Sequence, residues 1–290
     1  MEALLDPQLL RRLEALALQV RRAVSGQMGG ERRSTARGRS VEFADFRSYS
    51  PGDDFRLIDW NAYARLDRFM LRLFVAEQEL PLSIFVDLSG SMDWGRPNKA
   101  LTAKRLAGAI AYVALSALDR VRLTVFAAGP TSGRAPYRGR RAVAELFSRL
   151  KSFPVGGPTD YSKLVWPIGK QRPGMTVFIS DGLGETSIDS AMAALSRARQ
   201  EGAVIQLLAP QEIAPDWTGD ARLRDAETGA EREFTSTPVT HAAYLAALAE
   251  RTHDIERSAH RRGLRFVRVS SEQPIDDMVL RTLRRLDLLS

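Results

Sequence analysis

From residue 82 onward, short apolar runs alternate with helical stretches, and this alternation limits the chain to a small set of folds. The runs read as strands at 82–87, 121–127, 175–180, 203–209 and 264–269. The helical stretches fall at about 98–118, 141–151, 160–170, 187–201, 239–262 and 275–287. The runs are brief and rich in β-branched and aromatic residues, which marks buried strands. Strands that alternate with helices build a parallel sheet covered on both faces. The expected fold class is therefore α/β, with a doubly wound, mostly parallel sheet. Residues 131–138 read as a short antiparallel edge strand. Residues 211–236, with Asp225-Ala226-Glu227-Thr228-Gly229-Ala230 near their centre, read as an inserted hairpin.

Upstream of residue 82 the pattern differs. Leu9, Leu10, Leu13, Leu16 and Leu18 recur at helical spacing and predict an amphipathic helix over 7–24. Residues 25–40 are rich in Gly, Ser and Arg and read as a loop. Residues 41–80 alternate as strands do, with Val41, Phe43 and Phe46, then Phe69, Leu71, Leu73 and Val75. Between them Ser50-Pro51-Gly52-Asp53 suits a type II turn, with Pro and Gly in the two central positions. Asp53, Asp54 and Asp59 read as structural acids: one caps the turn, and Arg56 or Arg65 pairs with another. Trp60 reads as a packing residue between the appended strands and the core. The expected organisation is residues 1–80 as an N-terminal helix, loop and small β-rich addition packed on the core, with 81–290 as the α/β domain. Some forty residues bury too little apolar surface to stand alone.

Composition removes several classes of function. There are no cysteines, hence no disulfide, no thiolate metal site and no cysteine nucleophile. That agrees with a reducing cytoplasm, the expected location. The first residues lack the basic and apolar regions of a secretory signal, and no stretch is long and apolar enough to span a membrane. The net charge is +7, and the basic residues are mostly Arg. Two clusters, Arg32 to Arg39 and Arg134 to Arg141, read as solvated loops. Neither carries aromatic stacking platforms, so no nucleic-acid partner is expected.

The chemistry concentrates at predicted strand ends. Asp87-Leu88-Ser89-Gly90-Ser91 follows the first run of the alternating region. Gly156-Gly157-Pro158-Thr159-Asp160 is a tight loop that offers the Thr159 hydroxyl. A later run ends in Asp181-Gly182. Three loops thus bring Asp87, Ser89, Ser91, Thr159 and Asp181 to one sheet edge, where open α/β sheets bind ligands. Such an all-oxygen set of low charge suits a hard cation that keeps some of its waters, above all Mg²⁺, with Mn²⁺ or Ca²⁺ as alternatives. His241, His253 and His260 lack an H-E-x-x-H pattern and lie on or near one predicted helix. There is no G-x-S-x-G elbow and no P-loop, and Gly182-x-Gly184 lacks the rest of a dinucleotide fingerprint.

The D-x-S-x-S, G-G-x-T and strand-D-G series resembles the metal-ion-dependent adhesion site of von Willebrand factor A domains at all five positions. A second motif, Tyr49-Ser50-Pro51-Gly52-Asp53-Asp54-Phe55-Arg56-Leu57-Ile58-Asp59-Trp60, is similar to the signature of the bacterial family catalogued as domain of unknown function fifty-eight. Asn61-Ala62-Tyr63-Ala64-Arg65 and Glu77 fit it too, and the resemblance covers roughly residues 35–290. It implies a von Willebrand factor A-like, Rossmann-type fold and a protein-binding role without catalysis. It further implies an adaptor for a MoxR-type AAA+ ATPase or its client, docking a partner carboxylate on bound Mg²⁺. The rival expectation is a Mg²⁺-dependent hydrolase or phosphoryl-transfer enzyme using the same strand-end site.

Overall fold

The computed structural model describes residues 4–27, 41–76, 81–117, 120–127, 129–132, 136–184 and 186–286. The Arg32 to Arg39 cluster and Glu77 lie outside the described residues, as does Arg134 at the start of the second cluster. The chain forms two compact units, Met1–Ala23 with Leu80–Ser290, and Val24–Glu79.

The larger unit is built on one sheet. Its strands are β1 (Leu82–Asp87), β2 (Arg120–Phe126), β3 (Pro130–Ser132), β4 (Gly174–Ser180), β5 (Gln200–Leu208) and β6 (Arg265–Ser270). They lie in the order β6-β5-β4-β1-β2-β3. The β1, β2, β4, β5 and β6 pairings are parallel, and β3 runs antiparallel to β2. This is the order of a doubly wound sheet, whose direction of winding switches between β1 and β4. The α/β expectation holds, including the antiparallel edge. Tyr137–Arg138 adds a second short antiparallel pairing to β2.

The strands form because their side chains are buried on both faces. Every residue of β1 is buried, as are the last six of β4. Successive side chains point to opposite faces. On one face Phe85, Phe178, Val204 and Phe266 join Tyr161, Leu164, Ile188, Met192, Leu195 and Ile255 in one apolar cluster. The helices α4 (Asp189–Arg197) and α5 (Pro238–His260) supply much of that layer. On the other face lies α2 (Lys99–Ala117), Ala-rich and buried along most of its length. Beside it run α3 (Val143–Ser152) and α6 (Ile275–Arg285), each with apolar residues on one side.

The first helix is α1 (Pro7–Gln27), whose residues up to Ala23 belong to the larger unit. Asp6 caps it by accepting the Leu9 N–H at 2.8 Å. Leu4, Leu5, Leu9, Leu13 and Ala17 are buried. A side chain on Gly108 of α2 would meet Leu4 at 3.0 Å, so the glycine permits that close approach.

The hairpin expected within 211–236 is present as Gly219–Arg224 paired with Glu231–Ser236. It is inserted in the crossover from β5 to α5. Its base is fastened by Trp217, whose ring meets Phe234 and Tyr244 edge-on. The Tyr244 hydroxyl in turn donates to the Glu212 carbonyl.

The smaller unit is an antiparallel pair, Val41–Ser48 with Met70–Ala76, bulged between Phe43 and Asp45. The turn fits its expectation: Gly52 has φ +105°, and the Asp53 N–H donates to the Ser50 carbonyl at 3.0 Å. The three acids are structural. Asp53 pairs with Arg47 at 2.8 Å, Asp54 accepts the Arg56 N–H, and Asp59 caps a helix by accepting from Asn61 and Ala62. The partner of Asp53 is thus Arg47. The capped helix, Trp60–Leu66, stands where only strands were expected. Trp60 meets Tyr63 and Phe69 edge-on, Tyr63 stacks on Phe69 at 4.4 Å, and Trp60 itself stays more than half exposed.

Candidate functional site

The parallel register fixes where the site lies. Val86 of β1 is level with Ile179 of β4, so Asp87 ends one strand as Ser180 ends the next. Both ends open at the same edge of the sheet, at its switch point. This is where ligands bind in folds of this kind.

Asp87, Ser89 and Asp181 are wholly buried, and Thr159 nearly so. The first two of the three loops are stitched together by backbone. The Gly90 N–H donates to the Gly157 carbonyl at 2.8 Å, and the Gly156 N–H donates to Leu88 at 2.9 Å. Gly184, beyond Asp181, lies so near Thr159 that an added Cβ would be 2.8 Å from the threonine Cβ. Thus all five expected residues come to one place. The Ser89 and Ser91 hydroxyls are 3.1 Å apart.

Asp87 is held from two sides. One carboxylate oxygen accepts the Ser89 N–H at 3.0 Å, and the other accepts the Ser180 hydroxyl at 2.6 Å. With its proton committed to Asp87, Ser180 must accept from Tyr161, 2.8 Å away. Burial, then the charges of Asp87 and Asp181, push the Tyr161 phenol up, so it stays a donor. Burial first and the neighbouring Asp181 second push Asp87 itself up to about 7, against the hydrogen bonds from Ser180 and Ser89. Among the described residues no cation is bonded to Asp87.

Asp181 has a different companion. The Lys99 ammonium, fully buried at the start of α2, lies 2.9 Å from Asp181 and 2.6 Å from Glu212. Glu212 also accepts the Ala209 N–H at 2.7 Å. Burial opposes charge on Lys99, but Asp181 and Glu212 outweigh it and raise the lysine. Burial also raises Glu212 against the pull of Lys99. Contacts this short are those of charge-assisted bonds from the Lys99 ammonium. The loop after Asp181 is fixed by Arg251, which donates to the Gly182 and Gly184 carbonyls, and by Gln206, which donates to the Asp181 carbonyl.

Glu227, at the tip of the inserted hairpin, closes the arrangement. Its carboxylate accepts the Thr159 N–H at 2.9 Å and the Thr159 hydroxyl at 2.7 Å. Beside it the Ala226 carbonyl rests on Gly90, where an added Cβ would lie 2.4 Å from that oxygen.

Sequence reading named five site residues and missed Lys99, Ser180, Glu212 and Glu227. Each acts through a partner distant in sequence, and Ser180, 93 positions from Asp87, reads in the sequence only as a strand residue.

The donor set fits a hard cation. Among the described residues no group of three or more His, Cys, Asp or Glu gathers around one point, so a cation here would depend on hydroxyls. The buried Asp87 carboxylate, without a cationic partner among those residues, is the group whose burial a cation would relieve. Ser89, Ser91 and Thr159 would hold it, with Asp87 and Asp181 alongside.

Fold and site together define an open α/β protein with a hydroxyl and carboxylate site at its switch point. The chain belongs to the family described as protein of unknown function DUF58, whose match spans residues 45–254. An uncharacterized protein of Mycobacterium tuberculosis H37Rv is 30% identical over 261 residues, 87% of this chain and 82% of its own. A similar solved structure is an aerotolerance-related membrane protein from Bacteroides fragilis, at 15% identity and TM-score 0.44, covering 72% of this chain and 98% of that one. BatB from Bacteroides thetaiotaomicron, a conserved hypothetical protein, matches at 18% identity and TM-score 0.42 over the same shares, 72% and 98%. No described helix is long and apolar enough to cross a membrane.

Proposed function

We propose that the chain is a metal-dependent protein-interaction module. Mg²⁺ would sit on Ser89, Ser91 and Thr159, flanked by Asp87 and Asp181, with Mn²⁺ or Ca²⁺ as substitutes. Bound there, the cation supplies a partly neutralised positive charge that can take a carboxylate from a partner. The observation that carries this reading is the gathering of Ser89, Ser91, Thr159 and Asp181 around the buried Asp87 carboxylate, which has no cationic partner among the described residues. The remaining residues hold the donors in place: Ser180 and Tyr161 orient Asp87, and Lys99 and Arg251 fix Asp181 and its loop. Lys99 is fully buried and bonded to two carboxylates, which favours a structural role for it over a catalytic one.

By family resemblance the partner is a MoxR-type AAA+ ATPase or its client, which makes the protein an adaptor that docks without catalysis. The test has two stages. Calorimetry should detect Mg²⁺ binding to the wild type and none to Asp87→Ala, with both folded by circular dichroism. A purified MoxR-type ATPase should then be retained with Mg²⁺ and released by EDTA. Retention that survives EDTA, or that Asp87→Ala leaves intact, would overturn the reading. Binding driven by the Arg clusters instead would be eroded by salt and indifferent to chelation.

A further inference from the structure

Glu227 reaches from the hairpin tip to Thr159, one of the hydroxyl residues of the site. We propose that it is the site's built-in occupant: its carboxylate takes the position meant for a partner, and docking requires the hairpin tip to lift. This rests on the metal-dependent docking reading above and adds its regulation.

Three observations converge. First, both Glu227 oxygens are used on one residue of the site, the Thr159 N–H and hydroxyl. Second, the tip is seated on a prepared surface. The Ala226 carbonyl occupies the space over Gly90 that a side chain would fill, and Gly90 lies between the two hydroxyl donors Ser89 and Ser91. Third, the turn is built to present this one acid. The Asp225 carboxylate is spent inside the turn, accepting the Glu227 N–H at 2.9 Å and the Thr228 N–H at 2.7 Å. The Asp225 N–H donates to Ala230 at 2.8 Å, and the Gly229 N–H donates to Asp225 at 2.9 Å, with Gly229 at φ +73°. Glu227 is half-buried while Asp225, Ala226, Thr228, Gly229 and Ala230 are exposed.

The base of the hairpin is anchored separately, through Trp217 and Tyr244, so the tip can leave while the ribbon stays attached. What replaces it must offer equivalent chemistry. The partner feature is therefore an Asp or Glu at the end of a tight turn, with small neighbours that pass over Gly90.

Mn²⁺ alone serves as the probe, on the full chain. Its affinity is read by electron paramagnetic resonance of the free ion, and the waters on the bound ion by proton relaxation. Wild type is compared with Glu227→Ala and Glu227→Gln, with Asp87→Ala as the site-null control. Glu227→Ala should add about one exchangeable water per bound Mn²⁺ and weaken binding by about tenfold or more, the scale of losing a group that supports a metal site. Glu227→Gln keeps the shape without the charge and should also weaken binding. A Glu227 that only hydrogen-bonds Thr159 could weaken binding by the same factor but would leave the hydration unchanged, so an unchanged water count in Glu227→Ala overturns the proposal. Equal affinity and hydration in wild type and Glu227→Ala, with Asp87→Ala losing the ion, would overturn the proposal and leave the docking reading standing. If wild type and Asp87→Ala alike bind no Mn²⁺, both fall. Should Glu227→Ala fail to fold, the hydration of bound Mn²⁺ in Glu227→Gln decides: an added water supports the proposal and an unchanged count overturns it.

Discussion

Replacing Asp87 with asparagine should make the metal-free protein more stable. Asp87 is fully buried and raised from near 3.8 to about 7 by burial and by Asp181. At about 1.4 kcal/mol per pH unit, holding it ionised inside the fold costs roughly 4 kcal/mol above pH 7. Asparagine keeps the size and one oxygen for the Ser89 N–H. Its amide nitrogen would face the Ser180 hydroxyl, which then loses its acceptor at a cost of about 1 kcal/mol. The net gain is about 3 kcal/mol in EDTA at pH 7.5. An acid raised on folding binds more protons in the folded state, so this penalty is absent below about pH 4, grows toward pH 7 and is complete above it. Wild-type stability should fall across that window more than that of the variant. The assay is urea unfolding followed by circular dichroism, at pH 7.5 and 4.5, with EDTA or Mg²⁺. Mg²⁺ should stabilise the wild type and leave Asp87→Asn unmoved. A variant no more stable than wild type in EDTA at pH 7.5 would refute the reasoning. So would a gap that does not shrink at pH 4.5.

Lys99→Met should destabilise the protein by about 3–5 kcal/mol, because it leaves Asp181 and Glu212 buried without their cation, and the same urea titration measures it. Tyr161→Phe removes the donor to Ser180 and should cost about 1 kcal/mol, seen as a lower unfolding midpoint without loss of the native spectrum. Gly90→Ala should push Ala226 and the hairpin tip away, so amide exchange across 225–229 quickens while exchange in β1 and β4 does not. Asp59→Ala should cost about 1 kcal/mol as a lost helix cap, measured by thermal melting with EDTA and Mg²⁺ giving the same loss.

What the sequence shows depends on how local the physics is. Asp87 and Asp181 are legible because each follows a buried apolar run, and a polar residue ending such a run marks the sheet edge. Thr159 is legible through its glycine-rich loop. Helix Trp60–Leu66 was missed because it is short and stabilised by one cap, Asp59, and by aromatic contacts that its own pattern does not display. The fourth long strand begins at Gln200 rather than 203, since buried Gln200 looks polar until its bonds to Thr176 and the Arg172 carbonyl are seen. Lys99 lies 82 positions from Asp181 and 113 from Glu212, and Glu227 lies 68 from Thr159. No periodicity carries pairings of that range; only the closed fold brings them together.

The hairpin tip also offers a practical handle. The chain contains no cysteine, so Ala230→Cys would create a unique attachment point for a thiol-reactive dye. Ala230 is exposed and close to Glu227, and its own side chain makes no bond that the exchange would break. If the tip lifts when a partner arrives, the dye leaves the neighbourhood of the strand ends for open water and its emission changes. A purified candidate partner could then be scored in a cuvette, one addition at a time.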